Sequence, residues 1–239
     1  MYKLNNQYYK KAVCSGLFLL MIFFTKGQDN KKLNQYGLYV VTQKSHYKAS
    51  ARKPGYRMVD IKKIIPTLII DLRYAGKNNF MHARLYPPIR TAYLSEKATR
   101  QLDSVQQVLK KNGLGIKIFD AYRPYSVTAK MWLLVHDDRY AADPKKGSGH
   151  NRGAAVDLTL VDLKTKEEIA MGTGFDNFSD TAHHNFKQLP EFVLQNRLLL
   201  KSVMEQFGFK ALDTEWWHYS LPSAREYDLL DIPFKDLKW

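Results

Sequence analysis

The sequence predicts a single α+β domain, with helices packed on a mostly antiparallel sheet, preceded by an N-terminal extension. The chain has 239 residues and is 45% hydrophobic, which is enough to build one buried core. Helical and strand-like apolar patterns both occur, but they do not alternate strictly, as a doubly wound parallel sheet requires. The sequence also lacks an internal repeat, a phosphate-binding glycine loop and a nucleophile elbow.

The first 27 residues have the pattern of a secretory signal peptide. Lys10 and Lys11 precede residues 12–24, a mostly apolar stretch without charge. That stretch is shorter than the roughly 20 residues needed to span a membrane, and small residues at Thr25 and Gly27 suit cleavage after Gly27. We therefore expect an exported, periplasmic protein with no membrane span after cleavage. An uncleaved anchor is the alternative.

Residues 28–55 are polar and basic and predict a linker or loosely packed arm, so the domain is expected to occupy residues 56–239. The formal net charge is +14, and the first 27 residues contain lysines but no acid. The other basic residues are scattered among acidic ones, and no recognition motif accompanies them. We expect no nucleic-acid partner; attraction to anionic cell-envelope polymers explains the charge as well. The only cysteine, Cys14, would leave with the signal peptide.

The elements of the domain follow from apolar spacing and from residues that begin or end helices. Short β-branched runs predict strands, and apolar residues at helical spacing predict helices. Ser95 and Gly113 mark the two ends of the first long helix, and Pro190 and Gly208 those of the last. The predicted strands are Ile61–Ile65, Leu68–Leu72, Ile116–Phe119, Ala154–Val161 and the region Phe209–Leu221; the predicted helices are Leu94–Leu109, Ser126–Val135 and Pro190–Phe207.

A possible metal site is suggested by His150 and Asp157, followed much later by Glu215 and His218. Asp157 lies within a predicted strand, where an unpaired charge is costly and a cation would compensate it. Two histidines and one aspartate would supply the three ligands of a catalytic zinc site, which leaves Glu215 as a general base. Taken singly, the residues also fit a loop histidine, a structural ion pair and a core histidine.

Two other features bear on this site. Arg123 ends a predicted strand before Pro124 and points either into a cleft or towards a carboxylate such as Asp120. His183 and His184 are adjacent, so their side chains diverge on any regular backbone. We expect these two histidines to be structural or solvated rather than metal ligands.

The motif Ser148-x-His150-x-x-Gly153-x-Ala155-x-Asp157, followed by Glu215-Trp216-Trp217-His218-Tyr219, resembles the signature of zinc D-alanyl-D-alanine dipeptidases. The resemblance extends over residues 61–219. It includes Arg73-Tyr74-Ala75 with Asn79-Phe80, Tyr122-Arg123-Pro124, and Met171-Gly172 with Phe175-Asp176.

This resemblance implies one zinc ion per chain and hydrolysis of the dipeptide D-alanyl-D-alanine to two D-alanines, linked to cell-wall peptide turnover. It implies zinc ligands at His150, Asp157 and His218, a catalytic base at Glu215, an oxyanion partner at Arg123, and binding of the substrate's ammonium end by Ser148, Tyr74 and Asp176. Two alternatives remain. One is a peptidoglycan D,D- or L,D-carboxypeptidase or endopeptidase with the same zinc motifs, and the other is a zinc-structured binding module without catalysis.

Overall fold

A five-stranded mixed sheet forms the centre of the domain in the computed structural model, which describes residues 32–137 and 141–238. The strand order is β3-β5-β6-β8-β7. Only the β3–β5 pair is parallel, so the prediction of a mostly antiparallel sheet is confirmed. Its strands are β3 (Ile69–Ile70), β5 (Leu114–Asp120), β6 (Ala155–Asp162), β7 (Lys210–Leu212) and β8 (Glu215–Ser220).

Among the residues that the structure describes, two short sheets and five helices surround this sheet. The first and last strands pair in parallel in one short sheet, and β2 and β4 pair antiparallel in the other. The four strands are β1 (Val40–Val41), β2 (Met58–Asp60), β4 (Tyr93–Ser95) and β9 (Leu229–Leu230). The helices are α1 (Lys44–Ser50), α2 (Ile61–Ile64), α3 (Glu96–Lys110), α4 (Tyr125–Val135) and α5 (Glu191–Gln206).

The two long helices begin and end close to where their sequence signals predict. The Ser95 side chain caps α3 by accepting a hydrogen bond from the Ala98 amide at 3.4 Å, and Pro190 directly precedes α5. Leu102 and Leu109 lie on the buried face of α3, which packs on β5 and α5. The core therefore lies between these helices and the central strands, and β6 is buried along nearly its whole length.

The prediction of a strand over Ile61–Ile65 is wrong, because this segment forms the short helix α2. The Asp60 side chain accepts a hydrogen bond from the Lys62 amide at 3.1 Å and thereby caps the helix. Ile61 and Ile65 are both fully buried, and their four-residue spacing places them on the same helical face. In the second predicted strand, only Ile69–Ile70 pairs with the sheet.

The predicted loose arm over residues 28–55 is wrong for much of the part that the structure describes. β1 pairs with β9, and Tyr47 of α1 is buried, with its hydroxyl accepting a hydrogen bond from the Met58 amide at 3.1 Å. The polar composition hides this packing, because β9 and the Leu237 carbonyl, to which the Tyr47 hydroxyl donates, lie about 190 residues further along the chain. The predicted signal peptide, residues 1–27, lies outside the described residues.

The N-terminal segment also supports a loop that leads into the candidate site. The Asn34 side chain donates a hydrogen bond to the Tyr125 hydroxyl at 2.9 Å, and this hydroxyl donates to the Pro144 carbonyl at 2.8 Å. Further along the loop, Gly147 has a φ of +68° and leaves no room for a Cβ beside Leu229 of β9. Both ends of the described chain therefore brace the same loop.

No helix within residues 32–137 or 141–238 has the length and hydropathy needed to cross a membrane.

Removing the N-terminal segment is expected to destabilise the domain. A chain that starts at Tyr56 loses the buried side chains of Val41 and Tyr47, together with the β1–β9 pairing. From the apolar area alone, the loss should lower the free energy of unfolding by roughly 3–5 kcal/mol. Urea unfolding of this chain and of one starting at Gln28 measures the difference. Equal midpoints would contradict a structural role for residues 28–55.

Candidate metal centre and active-site cleft

Three side chains that could hold a metal ion converge where β6 and β8 meet. Asp157 and His218 are directly opposed residues on these neighbouring antiparallel strands. His150 lies in the short helical turn His150–Arg152, which leads into β6 after Gly153. Gly153 has a φ of +59°, and a Cβ there would collide with Met58, so glycine is required to bring the turn back to the sheet. Backbone pairing and one tight turn thus set the positions of all three side chains.

The three donor atoms lie at hydrogen-bonding distance from one another. His150 Nε2 is 3.1 Å from His218 Nδ1 and 3.3 Å from Asp157 Oδ1, and His218 Nδ1 is 2.9 Å from Asp157 Oδ1. Four ligands around a tetrahedral ion at about 2.0–2.1 Å are themselves separated by roughly 3.3 Å. These separations and the His₂Asp donor set therefore fit a divalent cation such as zinc.

A backbone carbonyl orients the first of these histidines. His150 Nδ1 lies 2.8 Å from the carbonyl oxygen of Ala121, at the end of β5. A proton on Nδ1 donates to this oxygen, which leaves the Nε2 lone pair directed at Asp157 and His218. A carbonyl partner of this kind is common behind metal-bound histidines, so the second shell of the site also fits a metal.

The ionisation of the cluster matches its donor role. Burial disfavours the charge of Asp157, but His150 and His218 outweigh it and hold the pKa of this carboxyl well below its usual range. Burial disfavours the charged form of His218 as well and so lowers its pKa. Hydrogen bonding to Asp157 raises the pKa of His218 by more, and the net shift is upward. The carboxylate thus favours positive charge at this point, whether a proton or a metal ion supplies it.

A buried arginine lies beside these three donor side chains and is held by the carboxylate of Asp120. The Arg123 Nε and Nη2 atoms are 2.9 and 2.8 Å from Asp120 Oδ2, and Nη2 is 3.8 Å from Asp157 Oδ2. Burial disfavours the charge of Arg123, but Asp120 offsets this cost and the pKa of the guanidinium rises. Tyr86 donates a 2.7 Å hydrogen bond to Asp120. Both sequence alternatives for Arg123 hold: it pairs with Asp120 and also lines the cleft.

Glu215 is one of two carboxylates of the cleft that lie outside the group of three donor side chains; the other is Asp176. Strict alternation along β8 would place Glu215 and His218 on opposite faces. The pairing of β7 with β8 is irregular between Ala211 and Leu212, and both side chains line the cleft, with Glu215 Oε2 3.9 Å from His218 Nδ1. Burial raises the pKa of Glu215 to about 8. A cation held by the neighbouring ligands would lower this pKa again.

An acidic pocket with aromatic walls also lines the cleft. Tyr74 donates its hydroxyl hydrogen to the Asp176 carboxylate, with oxygen distances of 3.0 and 3.2 Å. Phe175 packs edge-on against Tyr74 and against Trp217 of β8. Burial, followed by the charge of Asp157, raises the pKa of Asp176 to about 7. Asp176 has a φ of +59°, a conformation that aspartate and asparagine adopt more readily than most residues.

A buried asparagine that the sequence analysis did not single out joins two sides of the cleft. The Asn151 side-chain oxygen accepts a 2.9 Å hydrogen bond from the Ser148 amide, and its nitrogen donates to the Arg123 carbonyl at 2.9 Å and to Thr128 Oγ1 at 2.8 Å. Ser148 Oγ accepts from the His150 amide at 3.2 Å. Asn151 occupies an unspecified position of the motif, between His150 and Gly153. In the sequence, the signal for this role is a polar residue shortly before a strand that is predicted to be buried.

One cavity of about 230 Å³ brings together all the site residues that the sequence analysis predicted. They are Tyr74, Arg123, Ser148, His150, Asp157, Asp176, Glu215 and His218. The adjacent pair His183 and His184 does not line this cavity, as expected. Within the described residues, the one group of three or more side chains able to hold a metal ion is His150, Asp157 and His218.

Comparison with known proteins identifies the family. The family model described as D-ala-D-ala dipeptidase, Peptidase_M15, matches residues 55–237. The chain belongs to the peptidase M15 family. It is therefore a peptide hydrolase. The three candidate metal ligands and the other residues of the cleft lie within the matched segment.

Named relatives agree with this assignment. The D-alanyl-D-alanine dipeptidase of Escherichia coli (strain K12) is 36% identical over 177 residues, which cover 74% of this chain and 91% of that protein. The enzyme of the same name from Enterococcus faecium is 31% identical, covering 76% of this chain and 98% of its own length. The one from Streptomyces coelicolor is 30% identical, covering 72% and 96%. Most of the N-terminal segment lies outside the family match.

Asn151→Ala should impair both stability and the alignment of the M15 cleft. The substitution removes three hydrogen bonds in a fully buried position, which together contribute about 2–4 kcal/mol. Chemical denaturation measures the loss. Thr128→Val, which removes one of the three partners, is the milder control. An Asn151→Ala protein as stable as the parent would contradict the bridging role.

Proposed function

We propose that this chain is a zinc-dependent dipeptidase that hydrolyses D-alanyl-D-alanine to two D-alanine molecules. One observation carries the proposal. A single small cleft combines the three side chains that could hold a metal ion, the separate carboxylate of Glu215 and the acidic pocket of Asp176. Relatives that carry the name D-alanyl-D-alanine dipeptidase support the choice of substrate.

His150, Asp157 and His218 would hold the zinc ion. Zinc favours nitrogen and oxygen donors in tetrahedral geometry, and a catalytic site supplies three protein ligands while the fourth position stays open. When bound, the ion would supply Lewis acidity, which lowers the pKa of a water molecule towards about 7 and polarises a peptide carbonyl. The close approach of the three donor atoms supports this assignment.

Glu215 would move the proton during hydrolysis. A carboxylate at this position accepts a proton from the attacking water and then delivers it to the nitrogen of the departing D-alanine. Burial raises the pKa of Glu215, which makes its carboxylate a stronger base for the first transfer. A structural metal site has no use for such a group, which weighs against a binding module without catalysis.

Arg123 would stabilise the negative charge that develops on the carbonyl oxygen. Its guanidinium lies between Asp120 and the metal cluster, and two of its nitrogens already contact Asp120. A donor held rigidly before the reaction costs little reorganisation in the transition state, and removing one such donor typically slows an enzyme about 10²–10³-fold. Asp120 would thus keep Arg123 both charged and in place.

The amino end of the substrate would bind Asp176 and Tyr74, with Ser148 beside them. An ammonium group is a natural partner for the Asp176 carboxylate, and it would favour the ionised form of this acid. The aromatic side chains of Phe80 and Trp217, which line the same cleft, limit the space next to this pocket. A requirement for a free amino terminus so close to the scissile bond would restrict the enzyme to very short peptides.

The proposed place of action is outside the cytoplasm. The signal-like pattern of residues 1–27 supports export, and it precedes the segment that matches the family. An exported dipeptidase is suited to recovering D-alanine from cell-wall peptides and cannot reach a cytoplasmic precursor. Fractionation that finds the mature protein in the cytoplasm would count against this role.

The function is tested by D-alanine release from D-alanyl-D-alanine, measured on purified protein before and after treatment with a zinc chelator. We expect hydrolysis that the chelator abolishes and added Zn²⁺ restores, because the ligands hold one ion. A tripeptide and a pentapeptide ending in D-alanyl-D-alanine serve as comparison substrates. Faster cleavage of these longer peptides would favour the carboxypeptidase alternative and overturn the dipeptidase assignment.

Two substitutions should separate metal binding from proton transfer. Glu215→Gln should keep about one bound zinc per chain but reduce kcat by about 10²–10⁴-fold, because the amide cannot accept a proton. His218→Ala should lose both, since it removes a ligand. Zinc content by mass spectrometry and kcat from D-alanine release give the two readouts. Near-normal turnover by Glu215→Gln would rule out the proposed base.

A further inference from the structure

A second groove opens from the catalytic cleft on the side of Ser220. It has a volume of about 610 Å³ and shares Gly147, Ser148, Gly149 and His218 with the cleft, so the two spaces adjoin. Asp176 lines the cleft but not this groove. The groove therefore leads out of the site from the metal cluster, without touching the acidic pocket.

The direction of the groove follows strand β8. Glu215 and Trp217 line only the catalytic cleft, whereas Ser220 lines only the groove, and His218 lies between them and lines both. Alternate residues of a strand share a face and are about 7 Å apart. Ser220 therefore lies about 7 Å beyond His218, on the side away from Glu215. One or two peptide units of a bound substrate would span this distance.

Positive charge is concentrated along this groove. Lys146, Arg152 and Arg225 line it, and no acidic side chain among the described residues does so. Arg152 also donates to the Tyr227 carbonyl, and Asp228 compensates part of its charge. The side chains of Lys146 and Arg225 are exposed at the groove, so a ligand there can contact both.

The Asp176 end of the cleft and the groove carry side chains of opposite charge. Asp176 lines the cleft but not the groove, and Lys146 and Arg225 line the groove but not the cleft. A peptide with free ends is a zwitterion, with its ammonium group on one side of the scissile bond and its carboxylate on the other. A dipeptide bound with its amino end at Asp176 and its carbonyl at the three donor side chains would place its carboxylate beyond them, away from Asp176.

We propose that Lys146 and Arg225 form a subsite for the carboxylate at the carboxy-terminal end of the substrate. The inference rests on the proposed dipeptidase function and deepens it by assigning the other end of the peptide. Lysine and arginine are long and flexible enough to reach from the groove back to a carboxylate beside His218. The groove is much larger than one alanine residue, so recognition there depends on charge more than on close fit.

The test compares D-alanyl-D-alanine with its carboxy-terminal amide, which keeps the ammonium group and the scissile bond but lacks the negative charge. We expect the double variant Lys146→Ala with Arg225→Ala to raise KM for the acid roughly tenfold, with little change in kcat, because the subsite contributes equally in the ground and transition states. The KM for the amide should barely change. Both residues are exposed, so the variant is expected to fold normally.

A matched control removes the same net charge elsewhere. Lys145→Ala with Arg90→Ala also deletes one lysine and one arginine, and neither residue lines the cleft or the groove. We expect this control to leave the ratio of acid to amide KM unchanged. An equal shift in both double variants would show a general charge effect and would overturn the subsite.

Equilibrium binding keeps the inference separate from the proposed function. Calorimetric titration of the zinc-loaded Glu215→Gln protein with the acid and with the amide does not depend on turnover. If the parent prefers the acid and the Lys146 and Arg225 substitutions abolish this preference, the subsite is supported. This holds even if the wild-type protein shows no hydrolysis, in which case only the proposed function fails. Equal binding of acid and amide by the parent would overturn the subsite, whether or not hydrolysis occurs.

Discussion

The convergence of three lone-pair donors at one buried point is the constraint on which the rest of this structure depends. His150 Nε2, Asp157 Oδ1 and His218 Nδ1 lie within 3.3 Å of one another and would repel without a proton or a cation between them. Such an arrangement persists only where the surrounding backbone enforces it. Here the pairing of β6 with β8 places two of the donors, and the Ala121 carbonyl orients the third.

The chemistry-bearing residues could be predicted from the sequence because they occur as local motifs. The spacing from Ser148 to Asp157 encodes a turn followed by a strand, and the short stretch from Glu215 to His218 contains both the proposed proton carrier and a proposed metal ligand. The spacing does not show that the two motifs meet in one cleft. Their meeting depends on the register between β6 and β8 and on the irregular pairing next to Glu215. Resemblance to a family supplied that information in place of geometry.

The two parts that were predicted wrongly have different physical causes. Ile61–Ile65 looks like a strand by composition, yet Pro66 and the capping Asp60 favour one helical turn that buries both of its end residues. The N-terminal segment looks disordered because its polar residues outnumber Val41 and Tyr47, whose partners come from the far end of the chain. Short apolar segments of this kind become stable only through distant contacts, which a local reading of the sequence does not detect.

The pairing of β1 with β9 has a consequence for the order in which the protein can be assembled. The first and last strands of the described chain are neighbours, and β9 also lies against the turn that carries His150. Contacts between residues so far apart in sequence form slowly and late. A chain emerging from its amino end cannot complete this support until its final residues are free. The metal-binding turn would therefore lack its backing during synthesis, and a chain delivered unfolded through a membrane would mature on the far side.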